Sequence, residues 1–115
     1  MIEATQKHRI LREVIRNYTT FEALCRQQPM EGGQRTGDWE IEHKGLTINF
    51  LDLQSCLKNL SKRKKEAVFF NVIMDEKQKD VAARMGITTV SVGQYVEQAM
   101  LQVAKQLWPE DEMTT

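Results

Sequence analysis

A single glycine constrains the fold of this chain more than any other residue. Gly86 lies inside KDVAARMGITTVSVGQYV, residues 79–96, between two segments whose apolar residues have helical spacing. A glycine at a helix end can adopt a positive φ, so it favours a sharp turn between two helices. Ala82 lets two helix backbones approach closely, and Val92 faces the same contact. The spacing predicts a helix-turn-helix whose second helix begins at Thr88 and projects from the surface; an ordinary helical hairpin is the alternative.

Apolar residues also predict helices on either side of this turn. An amphipathic helix over residues 3–28 has one apolar face, formed by Ile10, Leu11, Val14, Ile15, Tyr18, Phe21 and Leu24. Ser61 is a suitable N-cap for the next helix. One face of that helix is predicted to carry Val68, Phe69, Val72 and Ile73. The last helix continues until Pro109 prevents it. We expect its second half to pack on the N-terminal helix or on a second copy of the chain.

Two short alternating segments between these helices predict a β-hairpin. WEIEH and LTINF lie on either side of Lys44-Gly45, and a helix is expected from about Asp52. A helix from Thr47 through Leu60 is the alternative. Proline and glycines in QPMEGGQRTGD predict a loop before the hairpin. Trp39 is either a hairpin residue buried against the helices or an exposed contact for a partner protein.

These elements define one small domain, because 115 residues are enough for a single modest core. The predicted fold is mainly α, with a C-terminal helix-turn-helix bundle, an N-terminal amphipathic helix and a candidate short β-hairpin. The boundaries are residues 1–28 for the N-terminal helix, 29–51 for the loop and hairpin, 52–108 for the helix-turn-helix domain and 109–115 for an acidic tail.

The C-terminal half resembles region four of the bacterial sigma factors over about residues 50–105. The residues that carry the resemblance are Leu57, Leu60, Ser61, KRKKE at 62–66, Val81-Ala82, Gly86-Ile87 and Val92. The resemblance implies binding to promoter DNA in the major groove and contact with the flap of RNA polymerase. The chain has no room for a promoter-melting region, and a compact regulator of the phage or mobile-element type is the closer comparison.

The candidate DNA-binding residues fall in three groups. The recognition helix contributes Thr88, Thr89, Ser91 and Gln94, the start of the preceding helix contributes Gln78 and Lys79, and the helix after Ser61 contributes Lys62, Arg63, Lys64 and Lys65. The recognition face carries no cation, which weakens direct readout. Gln94 could pair with adenine, Ser91 or the threonines could bond phosphate or bases, and a methyl of Val90 or Thr89 could meet thymine. Glu97 would repel phosphate unless it accepts from cytosine. Gly93 in mid-helix indicates close approach by DNA or by another helix.

Charge supports nucleic-acid binding only weakly. The net charge is zero, while residues 61–108 carry eight basic and five acidic side chains and the tail carries three acidic ones. The cations of KRKK could contact phosphates, and a solvated helix start is the equal alternative.

Other classes of function lack their motifs. The sequence contains no phosphate loop, dinucleotide fingerprint, catalytic triad order or metal-ligand spacing, so we expect no enzyme activity, cofactor or metal. Cys25 and Cys56 have no partner motif and are expected to be free, buried thiols. No apolar run approaches the length of a membrane span, and no signal peptide is evident, which favours a cytoplasmic protein.

The leading hypothesis is a DNA-binding transcriptional regulator whose partner is double-stranded DNA, with RNA polymerase and a second copy of the chain as further candidate partners. One alternative is a protein-interaction module that docks on RNA polymerase or a sigma factor with little DNA contact. Another is a small subunit of a viral DNA-packaging machine, which would assemble as a ring.

Overall fold

A computed structural model describes residues 3–26 and 40–111 and confirms the mainly α fold. The elements in chain order are α1 (Ala4–Arg16), α2 (Tyr18–Arg26), β1 (Glu40–His43), β2 (Leu46–Asn49), α3 (Phe50–Lys58), α4 (Lys62–Ala67), a π-helical segment (Val68–Ile73), α5 (Gln78–Met85) and α6 (Thr89–Leu107). Trp39, the glycine-containing loop before it and tail residues 112–115 lie outside the described residues, so the predictions about them stay predictions.

The N-terminal segment forms two helices, so the prediction of one long helix is wrong. Asn17 separates α1 from α2, with φ −101° and ψ 26°. Its side-chain Nδ2 donates to the Glu13 carbonyl oxygen at 2.9 Å, which satisfies a helix-end acceptor locally. The α1 part of the predicted apolar face is buried, whereas Leu24 in α2 is 56% exposed. Tyr18 and Phe21 still pack against the core, so the predicted face continues past the break at Asn17 and is lost only at Leu24.

The hairpin is confirmed, and α3 begins two residues earlier than expected. β1 and β2 pair antiparallel, and Lys44 and Gly45 form the turn with φ values of 50° and 81°. Asn49 caps α3 by accepting from the Asp52 backbone N–H at 3.0 Å. This cap places Phe50 inside the helix and fully buried, rather than at the end of a strand. The alternative helix from Thr47 is wrong, because Thr47 lies in β2.

Ser61 caps α4 as predicted, since its hydroxyl accepts from the Lys64 backbone N–H at 3.4 Å. The helix then widens into the π-helical segment, in which the Met74 N–H donates to the Phe69 carbonyl at 2.8 Å. The wider winding breaks the α-helical periodicity on which the predicted face depended. Val72 is buried there, but Phe69 is 47% exposed, so the prediction that Phe69 shares the buried face is wrong.

α6 lies at the centre of the core and packs against α1, α3, α4, α5 and the π-helical segment. Its inward side chains are buried along most of its length: Val92, Val96, Ala99, Met100, Val103 and Ala104. Lys7 of α1 lies across the end of α6, 2.8 Å from the Asp111 carboxylate and 5.4 Å from the centre of the Trp108 ring. The expected packing of the second half of α6 on the N-terminal helix is confirmed.

The hairpin is tied to α1 by charge. Lys44 Nζ lies 2.6 Å from Glu13 Oε1, and this hydrogen bond lowers the pKa of the Glu13 carboxyl. Cys25 and Cys56 are both buried thiols that form no disulfide, as predicted, and burial raises the pKa of the Cys56 thiol. Within residues 3–26 and 40–111, none of the helices combines the length and apolarity of a membrane span.

Candidate nucleic-acid interface

The turn between α5 and α6 has the geometry that the sequence predicts. Gly86 has φ +70°, the left-handed conformation that favours glycine. The Ile87 N–H donates to the Ala82 carbonyl at 3.0 Å and the Gly86 N–H to the Ala83 carbonyl at 3.4 Å. These two bonds form a Schellman motif, which ends α5 and satisfies carbonyls that the helix leaves unpaired. The chain therefore changes direction within two residues, and α6 starts at Thr89.

Arg63 of α4 satisfies a further carbonyl at the same turn. Its guanidinium donates to the Met85 carbonyl oxygen at 3.0 Å, across 22 positions of sequence. A cation at a helix C-terminus also interacts favourably with the helix dipole. Arg63 was predicted to contact phosphate, and the structure places it as a support of the turn. No pattern in the sequence indicates this contact, because it joins two helices that are distant along the chain.

One of the predicted DNA-binding hydroxyls caps α6, and a second bonds to it. Thr88 Oγ1 accepts from the Ser91 backbone N–H at 3.1 Å and donates to Ser91 Oγ at 2.8 Å. Thr88 is therefore the N-cap of the helix, and Ser91 holds the capping hydroxyl in place. Each oxygen keeps a lone pair that could still accept, but their first role is to fix the position where α6 begins.

The first half of α6 presents an exposed surface, here called the reading face: Thr89, Val90, Gln94 and Glu97. Val90, Gln94 and Glu97 follow one another at spacings of four and three, so they form one line along the helix. Val92 and Val96 point into the core and hold the helix by its opposite side. The reading face combines a methyl-bearing surface, an amide and a carboxylate, and it contains no cation.

Gly93 lies beside the reading face, and the group closest to it belongs to the protein. A methyl group at Gly93 would lie 3.6 Å from the side-chain nitrogen of Gln78. Gln78, predicted to contact DNA, therefore lies with its amide against α6. The distance is an ordinary van der Waals contact, so the fold itself does not require glycine here, and both alternatives for the mid-helix glycine stay predictions.

The four cations of KRKK are on different sides of α4. Arg63 supports the turn, and Lys64 Nζ donates to the Gln102 side chain of α6 at 3.0 Å. Lys65 lies at the rim of a groove described below, and Lys62 is exposed. The predicted phosphate-binding cluster is therefore not a single surface, because successive helical residues point about 100° apart.

The start of α5 offers a second cationic position. Lys77 and Lys79 are exposed, and no side chain caps α5 there. Neither lysine side chain has a hydrogen bond or ion pair to another residue in the described part of the chain. Arg84 at the other end of α5 pairs with Glu76 at 2.9 Å and stacks over Phe70 at 4.5 Å. Lys77 and Lys79 are thus available to an external anion, whereas Arg84 is used internally.

An apolar groove of about 450 Å³ lies between α2, α3 and the helix of residues 62–73. Its walls are apolar and its rim polar: Tyr18, Leu57, Leu60, Val68, Phe69 and Ile73, with Gln54, Lys58 and Lys65 at the rim. Sequence reasoning missed this groove, because it depends on how α2 packs beside α3. A metal site is not formed within residues 3–26 and 40–111, where no three His, Cys, Asp or Glu side chains converge.

The Schellman turn, the capped α6 and its exposed first half are the features of a DNA-binding helix-turn-helix module. Residues 50–103 match the family model for Sigma-70, region 4. This segment, from the first residue of α3 into the second half of α6, is a sigma-70 region 4-like helix-turn-helix module. Sigma-70 region 4 is a DNA-binding family and not an enzymatic one. Neither the curated proteins nor the solved structures gave a match to the chain.

Proposed function

We propose that the protein is a cytoplasmic transcriptional regulator that binds double-stranded DNA through α5 and α6. The observation that carries this proposal is the exposed reading face on a helix whose start is fixed by the turn. A major groove about 12 Å wide admits a helix, provided that one side of the helix is free of its own protein. The first half of α6 meets this condition, since Val90 is 69% exposed.

Phosphate contacts would come first from the start of α5. In helix-turn-helix proteins, the first helix crosses the DNA backbone while the second lies in the groove. The first backbone N–H groups of α5 have no side-chain cap, and Lys77 and Lys79 stand beside them. A helix N-terminus with adjacent lysines attracts phosphate, although Asp80 in the same turn offsets part of that charge.

Binding to short duplexes over a salt series tests this assignment. Fluorescence anisotropy would compare the wild type with the double variant Lys77→Gln/Lys79→Gln. Each lost phosphate contact reduces the slope of log affinity against log salt by about 0.9, so we expect a reduction of about 1.8. Lys65→Gln is the matched control, because Lys65 lies at the groove, and its slope should equal that of the wild type.

Two results would oppose the proposal in different ways. Absence of duplex binding at low salt, or a wild-type affinity that does not change with salt, contradicts DNA binding through phosphate contacts. A slope that falls for Lys65→Gln and stays unchanged for the α5 double variant moves the interface to the other side of the molecule.

The apolar groove supports a second candidate function, docking on RNA polymerase or a sigma factor. Phe69 is 47% exposed at the groove, and an apolar floor with a lysine rim suits an apolar segment with acidic flanks. Region 4 domains bind RNA polymerase as well as DNA. Purified polymerase should be retained by the wild type and less by Phe69→Ser. Retention of polymerase together with absence of duplex binding would favour this candidate over the first.

A further inference from the structure

We propose that the reading face selects two A·T base pairs within two steps of each other, with Val90 in contact with a thymine methyl group and Gln94 hydrogen-bonded to adenine. The inference rests on the proposed function, because it requires α6 to lie in the major groove. It goes further in naming the class of site and the residues that choose it.

Val90 is an exposed apolar side chain on the reading face. Among the large apolar side chains in the described residues, it has the highest exposure, 69%, compared with 43–56% for the others that are exposed. It occupies the first turn of α6, next to the capping pair Thr88 and Ser91, so its position is fixed by the cap. A β-branched residue is not favoured in a solvated helix turn, and its methyl groups gain nothing from water. The C5-methyl of thymine is the apolar group that a major groove offers.

Gln94 follows Val90 by one helical turn and is also exposed. Within the described part of the chain, its amide has no hydrogen-bond partner. An amide has a donor and an acceptor side by side, which matches the N7 acceptor and N6 donor of adenine. Guanine presents two acceptors at the corresponding positions, so the carbonyl oxygen of Gln94 would lose its partner there.

The spacing of the two residues suits neighbouring base pairs. Four residues of α-helix rise about 6 Å, which is less than two base-pair steps of about 3.4 Å each. The remaining residues of the face do not favour guanine, because no arginine or lysine is present for its O6 and N7. Glu97, one turn further on, can only accept a hydrogen bond and would repel a phosphate.

Modified bases test each contact separately. A duplex selected from a random pool would be resynthesised with each thymine replaced by deoxyuridine, which lacks the methyl, and each adenine by 7-deazaadenine, which lacks N7. For the wild type, we expect about fourfold weaker binding at one thymine, the effect of one buried methyl group. A loss of about tenfold is expected at an adenine within two base pairs of it.

The variants assign these losses to residues. Val90→Ala removes both γ-methyl groups, which reach furthest from the helix, and should bind the thymine and deoxyuridine duplexes equally, whereas Val90→Thr, which keeps one γ-methyl, should still distinguish them. Gln94→Ala should become insensitive to 7-deazaadenine alone. Thr89→Ser tests the competing assignment within the reading face, because it removes the other exposed methyl of the first turn; if Val90 makes the contact, this variant keeps its thymine sensitivity.

Different outcomes would contradict A·T selection and DNA binding itself. Salt-dependent binding with no response to any modified base overturns A·T selection and leaves DNA binding in place. Loss of thymine sensitivity in Thr89→Ser, with retention in Val90→Ala, also overturns it. Failure of every duplex to bind overturns the proposed function itself.

Discussion

The reading face and the start of α4 differ in charge and in how many of their side chains are already bonded within the protein. The start of α4 has four consecutive cations, yet Arg63 and Lys64 are bonded to Met85 and Gln102 of the same chain. The reading face has no cation, and its Val90 and Gln94 have no partner in the described residues. A run of cations in the sequence therefore does not show how many of them can contact DNA. The exposed uncharged side chains on the reading face have no competing contact within the described residues.

The contrast also separates affinity from specificity. Phosphate contacts supply affinity without sequence information, and base contacts supply the choice of site. In this molecule, the free lysines lie at the start of α5, where Gln78 rests against Gly93 beside the reading face of α6.

Gly86→Val should have the largest effect. A β-branched residue at φ +70° is strained, although the space around a Cβ there is open, and we expect a loss of about 2 kcal/mol in the free energy of unfolding. Gly86→Asn is the control, because asparagine tolerates this conformation, and its loss should be under half as large. Urea unfolding measures both. Equal losses for the two variants would show that crowding, and not the backbone conformation, selects glycine.

Arg63→Gln, compared with Lys62→Gln, tests which cations of KRKK stabilise the fold. Loss of the charged hydrogen bond to the Met85 carbonyl should destabilise the fold by about 1–1.5 kcal/mol. Lys62→Gln removes one positive charge from the same helix turn and should change the free energy of unfolding by less than about 0.5 kcal/mol. If both variants unfold at the same urea concentration as the wild type, the contrast within the run is wrong.

The elements that the sequence predicted are those whose chemistry is local. Gly86 needs only its own φ, Ser61 and Thr88 need only a backbone N–H three residues on, and the hairpin needs only Lys44-Gly45 in its turn. These features would form in many tertiary contexts. The helix-turn-helix, the Ser61 cap and the hairpin could therefore be predicted from one sequence, whereas the capping role of Thr88 was missed although its chemistry is equally local.

The features that the sequence did not reveal depend on contacts between distant segments. Arg63 meets Met85 across 22 positions, and Lys64 meets Gln102 across 38. The π-helical winding of residues 68–73 cannot be predicted from a spacing of 3.6 residues per turn. For this reason the sequence pattern places Phe69 on the buried side. The DNA-contacting roles of Thr88, Thr89, Ser91, Gln94, Gln78 and the lysines stay predictions.

Gly93→Ala sharpens the contrast from the side of α6. Because the nearest atom to the added methyl lies at an ordinary contact distance of 3.6 Å, alanine should be accommodated and should stabilise the helix by about 0.5–1 kcal/mol. Duplex affinity should stay the same, since Gly93 faces Gln78. Thermal unfolding and anisotropy provide the two readouts. A large loss of affinity with the stability raised would mean that DNA, and not Gln78, needs the open backbone.

Glu97→Gln should have the smallest effect, and it tests whether the reading face truly lacks attraction for phosphate. A carboxylate about 7 Å from a phosphate in water repels it by about 0.6 kcal/mol, so removing the charge should raise duplex affinity about threefold. The gain should shrink at high salt, because screening reduces the repulsion that the variant removes. Glu66→Gln is the matched control, since Glu66 lies on α4 with the structural cations. If Glu97→Gln instead weakens binding at one particular cytosine, Glu97 is a base-reading residue, and the reading face extends one turn beyond Gln94.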